Sequence, residues 1–231
     1  MQPVSATYTA LLASGAPKEV RAIIAGVAYG QDKIVSATSK AALFEKAATI
    51  GNAVAKELDI VLRNYGEIPR MAQIQMQFRL DDGTTQSEWL PKGMFFIDTR
   101  DEGNGVMSIT AYDPMLKADQ DFMQSGNQGQ WPRTDITVVN QICSRIGVTL
   151  DERTAAILTS GYQIEYPGYG DGAYSMRDLL GFIAAMYAGN FWINDMNKLM
   201  LVRLGDFPPE TNYLVTETGD RILIGGYRIL V

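Results

Sequence analysis

Histidine is missing from this 231-residue sequence, and with it the commonest general base near neutral pH and the commonest metal ligand. Ser-His-Asp, Cys-His and His-zinc sites are therefore excluded for the chain. The single cysteine, Cys143, rules out an internal disulfide and any multi-Cys metal site. Clustered Lys and Arg are also lacking. Acidic residues outnumber basic ones 26 to 20, by 14 to 12 through Asp119 and by 12 to 8 after it. No surface is built to hold nucleic acid by neutralising phosphates. Long apolar runs are absent as well: Ala10-Leu11-Leu12-Ala13 is too short for a membrane span, and no Lys or Arg precedes it as in a signal peptide. The expectation is a mature, soluble chain.

What is present is apolar residue in quantity, 46% of the chain, ample for one large domain or two small ones. Ala72, Ile74, Met76, Phe78 and Leu80 alternate with Gln73, Gln75, Gln77 and Arg79, which predicts a strand over 70–80. Asp82-Gly83 reads as a hairpin turn, 85–90 as the next strand, Pro91-Lys92-Gly93 as another turn and 94–99 as the returning strand. After Glu102-Gly103-Asn104-Gly105, Val106, Ser108, Thr110 and Tyr112 alternate with Met107, Ile109 and Ala111, completing a four-stranded meander. Val54, Leu58, Ile60 and Leu62 predict a further strand, 34–38 a short one, and 41–50 a helix ended by Gly51-Asn52. Short antiparallel strands with frequent turns point to a closed or nearly closed barrel, since closure removes aggregation-prone edges. In such a barrel 94–97 is buried on both faces, one against the core and one against a helix or a neighbouring subunit.

Beyond Tyr112 the pattern changes. Asp113-Pro114 starts a helix, and the Gly-, Asn- and Gln-rich 124–133 marks a domain boundary. Ile136, Val139, Ile142, Cys143 and Ile146 form one helical face, capped by Thr134 or Asp135 and stopped by Gly147. A short helix follows over 152–158 and a strand over 162–166. Ser175 and Asp178 form a capping box that opens a second amphipathic helix. A hairpin then turns around 195–198, and 222–224 and 227–231 read as strands after the Pro208-Pro209 linker. The apolar ending Ile229-Leu230-Val231 implies an incomplete domain or a strand that completes an earlier sheet.

Three stretches, IGNAVAKELDIVL at 50–62, KGMFFIDTR at 92–100 continuing to ITAYDPMLKAD at 109–119, and YSMRDLLGFIAAMYAGNFWINDMNKLMLVRL at 174–204, resemble the phage tail hub family. These are tail-tip or baseplate proteins whose longer members are described as prophage endopeptidase tail or tail-associated lysin. The resemblance implies an α+β architecture: a tail-tube-like antiparallel β-barrel with a helix at 18–119, a small α/β insert at 133–205, and strands at 207–231 that return to the barrel or begin a second one. A complete second barrel needs more residues than lie between Asp206 and Val231.

The family also implies a structural hub, a trimeric homo-oligomeric ring joining tail tube to tip in the virion and made in the host cytoplasm. Its expected partners are distal tail and tube proteins, the tape-measure protein and a tip or spike protein. DNA passes through the bore without specific binding. The alternative is a non-catalytic anchoring or recognition module of a tail-associated peptidoglycan hydrolase.

An enzyme reading without His needs a carboxylate pair. Glu165, Asp171, Asp178 and Asp195 are candidates, yet Asp178 completes a cap, Asp195 sits in a turn and Asp171 in a Gly-rich loop. Gly168, Gly170 and Gly172 do not match a phosphate loop. The expectation is no enzyme, no catalytic residue, no metal and no cofactor. Cys143, on its helix's apolar face, reads as a small hydrophobe. Candidate interface residues are Trp89, Phe95, Phe96, Trp131, Tyr166 and Tyr169, the last two from the aromatic- and Gly-rich YPGYGDGAY at 166–174.

Overall fold

The computed structural model describes residues 3–41, 49–123, 130–168 and 173–206, together with the backbone of 223–224 and 227–228. The first half of the chain supplies helix α1 (Ala6–Ala13) and strands β1 (Lys18–Ile24), β2 (Val27–Tyr29), β3 (Ile34–Lys40), β4 (Asn52–Val54), β5 (Glu57–Arg63), β6 (Gln73–Leu80), β7 (Leu90–Gly103) and β8 (Val106–Tyr112). Seven of these strands form one antiparallel sheet in the order β2-β1-β6-β7-β8-β5-β3. The helix expected over 41–50 falls mostly outside the described residues.

Period-two alternation builds the core of this sheet. Ala22 and Ile24 of β1, Ile74 and Met76 of β6, Phe95 and Ile97 of β7, Met107 and Ile109 of β8 and Leu58, Ile60 and Leu62 of β5 converge in one buried cluster. Ile34 of β3, at the far end of the sheet, packs against the same cluster, so the sheet curls around its contents. Among the described residues it does not close through hydrogen bonds: the order ends at β2 and at β3. β2 covers only 22–24 of β1, and β3 pairs with β5 alone among the described residues.

Two expected features of this region need correction. Residues 85–90 and 94–99 are not two strands around a Pro-Lys-Gly turn, because β7 runs unbroken from Leu90 to Gly103. Met76 faces Gly93 while Gln77 faces Pro91, so Lys92 is the extra residue of a bulge. Gly93 takes φ +122°, and a Cβ there would sit 3.1 Å from the Phe95 ring. Pro and Gly thus serve a bulge here, which uses the same backbone freedoms as a turn. The meander has three strands, β6-β7-β8. The second correction is upstream: Val54 and Leu58 lie on separate strands, β4 and β5, and β4 leaves the first sheet altogether.

Asp113 caps a 3-10 helix (Pro114–Asp119), accepting the Met115 N–H at 3.0 Å. The chain continues through β9 (Arg133–Thr134), α2 (Asp135–Ile146), β10 (Thr149–Leu150), α3 (Glu152–Ile157), β11 (Gln163–Ile164), α4 (Met176–Met186), β12 (Gly189–Ile193) and β13 (Lys198–Arg203). Thr134 takes the N-cap position of α2 without a side-chain cap hydrogen bond, Gly147 ends the helix at φ +80°, and Ser175 with Asp178 forms the capping box of α4. The second sheet, β10-β13-β12-β4, packs under α2 and α4 around Val138, Ile142, Leu180, Ile183, Phe191 and Leu199. Met115, Ala118, Phe122 and Met123 belong to this second core, and so does Ala53 of β4. Strands β14 (Leu223–Ile224) and β15 (Tyr227–Arg228) pair with each other. No described helix is long and apolar enough to cross a membrane.

Candidate functional site

A dense set of polar contacts among the described residues lies where the two sheets with their cores, the two modules of the chain, meet. β4 runs parallel to β12, pairing 52–54 with 190–192. Asn190, fully buried, fixes this register: its side-chain oxygen accepts the Asn52 N–H at 2.9 Å and its amide donates to the Thr49 carbonyl at 2.7 Å. Arg177, at the start of α4, donates to the Ala53 carbonyl at 2.6 Å and the Met115 carbonyl at 3.0 Å, and also pairs with Asp119. Gly181, one turn further, lets the helix press on the backbone of 51, where a Cβ would meet the Gly51 carbonyl oxygen at 2.7 Å.

At the other side of the joint the β12–β13 turn carries Asp195 between two lysines. Lys56 Nζ donates to one carboxylate oxygen at 2.6 Å and Lys92 Nζ to the other at 2.7 Å. The Lys56 side chain is only 6% exposed and that of Lys92 45%. Burial pushes the Asp195 carboxyl up, but the hydrogen bonds and charges of the two lysines outweigh it and hold the group below the usual carboxylate range. Nearby, Asp113 is buried, with one carboxylate oxygen that no hydrogen bond reaches among the described residues. Burial pushes its pKa up to about 6 despite the Lys56 and Met115 backbone contacts and the Lys56 and Arg177 charges.

The residues singled out as an interface are scattered across this frame. Phe95 is fully buried in the first core. Phe96 faces outward, half-buried, with Lys117 Nζ 3.9 Å above its ring. Trp89 is held between the Arg21 and Arg79 guanidinium groups, at 4.0 and 4.5 Å. Trp131 is half-buried against the second core and touches Phe122 and Tyr166 edge-on, each at 6.1 Å. Tyr166 is exposed, and Tyr169 lies outside the described residues. The structure therefore joins Trp131 to Tyr166 and leaves Trp89 and Phe96 elsewhere, on the first sheet.

No protein-family model and no curated protein matches this sequence. Among solved structures, the 43 kDa tail protein of prophage MuSo2 from Shewanella oneidensis superimposes with a TM-score of 0.51 at 12% identity, over 81% of this chain and 56% of its own. The fold is similar to that of a prophage tail protein. A tail protein from Neisseria meningitidis MC58 gives a TM-score of 0.49 at 11% identity, over 80% of this chain and 51% of its own. The chain spans about half the length of each. An overlap of 81% with the MuSo2 tail protein exceeds what either module supplies, so the likeness runs through both.

Of the four carboxylates weighed for catalysis, the three that are described do not meet. Asp178 accepts the Ser175 N–H and hydroxyl, Asp195 is clamped by Lys56 and Lys92, Glu165 is exposed, and Asp171 lies outside the described residues. A cleft of about 480 Å³ borders the clamp, with Trp192 and Met200 among its walls beside Arg153, Asp195 and Lys198. Its charges are already engaged: Arg153 pairs with Asp151 at 2.9 Å and Lys198 with Glu152 at 2.5 Å. Sequence reasoning missed the clamp because Lys56 and Asp195 stand 139 positions apart. The Asn-rich turn at 194–197 announced a hairpin and nothing more.

Proposed function

We propose that the chain is a structural component of a phage or prophage tail, acting as a hub subunit at the tip or baseplate. The observation that carries this reading is the likeness to the MuSo2 tail protein through both modules. The three sequence stretches that resemble the tail hub family support it, since they fall on β4–β5, on β7–β8 with the 3-10 helix, and on α4–β13. Those elements build the joint.

In this reading three copies form a ring between tail tube and tip, contacting tube, tape-measure and spike proteins in the virion while DNA passes through the bore. The chain turns over no peptidoglycan and needs no cofactor. The acidic excess of the sequence suits a bore that must not grip phosphates. A polar clamp between two packed cores suits a part that must transmit load without changing shape. Sedimentation over a range of protein concentration tests the reading: a trimer is expected, and a monomer throughout would count against the ring.

A further inference from the structure

Alternation along the second sheet leaves one of its faces outside the core. Phe191, Ile193, Leu199 and Leu201 point into the second core, so Trp192 of β12 and Met200 of β13, opposite each other in the ladder, point away from it. Both line the cleft of about 480 Å³ that borders the clamp, a size within the ~300–1,000 Å³ of small-molecule sites. Trp192 is half-buried, and Met196 of the β12–β13 turn adds a third apolar wall.

Around this apolar floor the polar groups are locked before any ligand arrives. Arg153 grips Asp151 through two nitrogens, at 2.9 and 3.0 Å, and Lys198 pairs with Glu152 at 2.5 Å. The Asn194 amide donates to Asp151 at 3.2 Å, while its oxygen accepts the Met196 and Lys198 N–H groups at 3.0 and 3.1 Å. Asp195, held by Lys56 and Lys92, fixes the turn, and Lys56 Nζ lies 5.3 Å from the centre of the Trp192 ring. Side chains held in this way lose little freedom on binding.

The pattern of charge selects the ligand. An anion in the cleft meets Asp151, Glu152 and Asp195, and a cation meets Arg153 and Lys198, so either must compete with an existing pair. A ligand that is uncharged and rich in hydroxyl groups need not: a paired carboxylate keeps spare lone pairs, a paired ammonium or guanidinium keeps spare N–H groups, and a hydroxyl both donates and accepts. The floor asks in addition for a flat C–H face to lie on the electron-rich face of the indole. A pyranose ring offers both.

We propose that this cleft binds an uncharged pyranose oligosaccharide, with one ring stacked on Trp192 and its hydroxyls on the locked Arg153–Asp151 and Lys198–Glu152 pairs. The proposal stands apart from the tail reading, and neither its success nor its failure bears on ring assembly.

Heteronuclear NMR of the whole chain, titrated separately with maltotriose, cellotriose and tri-N-acetylchitotriose, tests it. The three indole N–H signals are assigned with Trp89→Phe, Trp131→Phe and Trp192→Phe. At least one sugar is expected to shift the Trp192 indole and the amides of 194–198 with millimolar or tighter affinity, leaving the other two indoles in place. Trp192→Ala should weaken that binding at least about tenfold. Glu152→Ala changes a side chain that is 80% exposed and leaves the core untouched; it should weaken binding at least about twofold with the melting temperature little changed. A Trp192 indole that none of the three sugars moves at about 20 mM would overturn the proposal. So would unchanged affinity in both variants, and so would tighter binding of trigalacturonate or of a glucosamine trimer, since a free charge would then be choosing the ligand.

Discussion

Lys56 Nζ lies 2.6 Å from the carboxylate of Asp195, a pair formed between the lead-in to the first sheet and the β12–β13 turn of the second. Lys56 is almost wholly buried, so the ion pair is not a surface ornament. Removing the carboxylate by Asp195→Asn leaves an ammonium in the joint without its counter-charge, at a cost of about 3–5 kcal/mol. Lys92→Met removes a partner whose head is half in water and should cost at most about 1 kcal/mol. The double variant Lys56→Met with Asp195→Asn should recover much of the loss. Denaturant melts of the four proteins check this, and equal costs for the two single variants would contradict it.

Asp113 makes the folded state sensitive to pH. Its pKa is raised from 3.8 to about 6, so the folded protein resists losing that proton while the unfolded chain does not. The cost is absent below the unfolded pKa, grows as pH climbs between the two values and is complete above about 6, reaching on the order of 3 kcal/mol. Asp195 and Asp59 are shifted downward and act in the opposite direction at acid pH. The informative quantity is the difference between wild type and Asp113→Asn. The amide can still accept the Met115 N–H, and the variant should gain stability relative to wild type as pH rises from 4 to 7. Parallel curves would contradict the assignment.

Gly181→Ala should loosen the joint from the helical side. The new Cβ would meet the Gly51 carbonyl oxygen at 2.7 Å, a backbone atom that cannot rotate away. Overpacking of this kind costs about 1–3 kcal/mol, even though Ala is the better helix former. Thermal unfolding monitored by circular dichroism measures the balance, and a stabilised variant would show that 49–52 and α4 are not held in contact.

Cys143 should be silent toward thiol reagents in the native protein. It is buried in the second core, and burial pushes its pKa up to about 12. Labelling with a chromogenic disulfide is expected only on denaturation. Prompt native labelling would mean that the second core opens readily.

Much of this architecture was legible in the sequence because period and capping are local signals. The alternation in β6 and β8, the Gly147 stop of α2 and the Ser175–Asp178 box of α4 are all where the pattern puts them. Misreadings arose where one local chemistry serves two purposes. Pro91-Lys92-Gly93 has turn residues but makes a bulge, and β1 went unread, since Ala22, Ile23 and Ile24 run together without alternation. Phe95 and Phe96 look alike in a run of apolar residues. Only the register of the sheet sends the first into the core and the second under Lys117. The joint was hidden for a different reason: Asn52 with Asn190, Ala53 with Arg177 and Lys56 with Asp195 are each separated by more than 120 positions. Such pairs leave no trace in spacing or composition.

The central claim is that this two-module unit is an assembly part of a phage tail. Negative-stain electron microscopy of the purified chain, at a concentration where sedimentation reports one species, tests it most directly. The account predicts three-fold rings with a central hole. Compact monomers at every concentration would contradict the hub and return the chain to the alternative of an anchoring module.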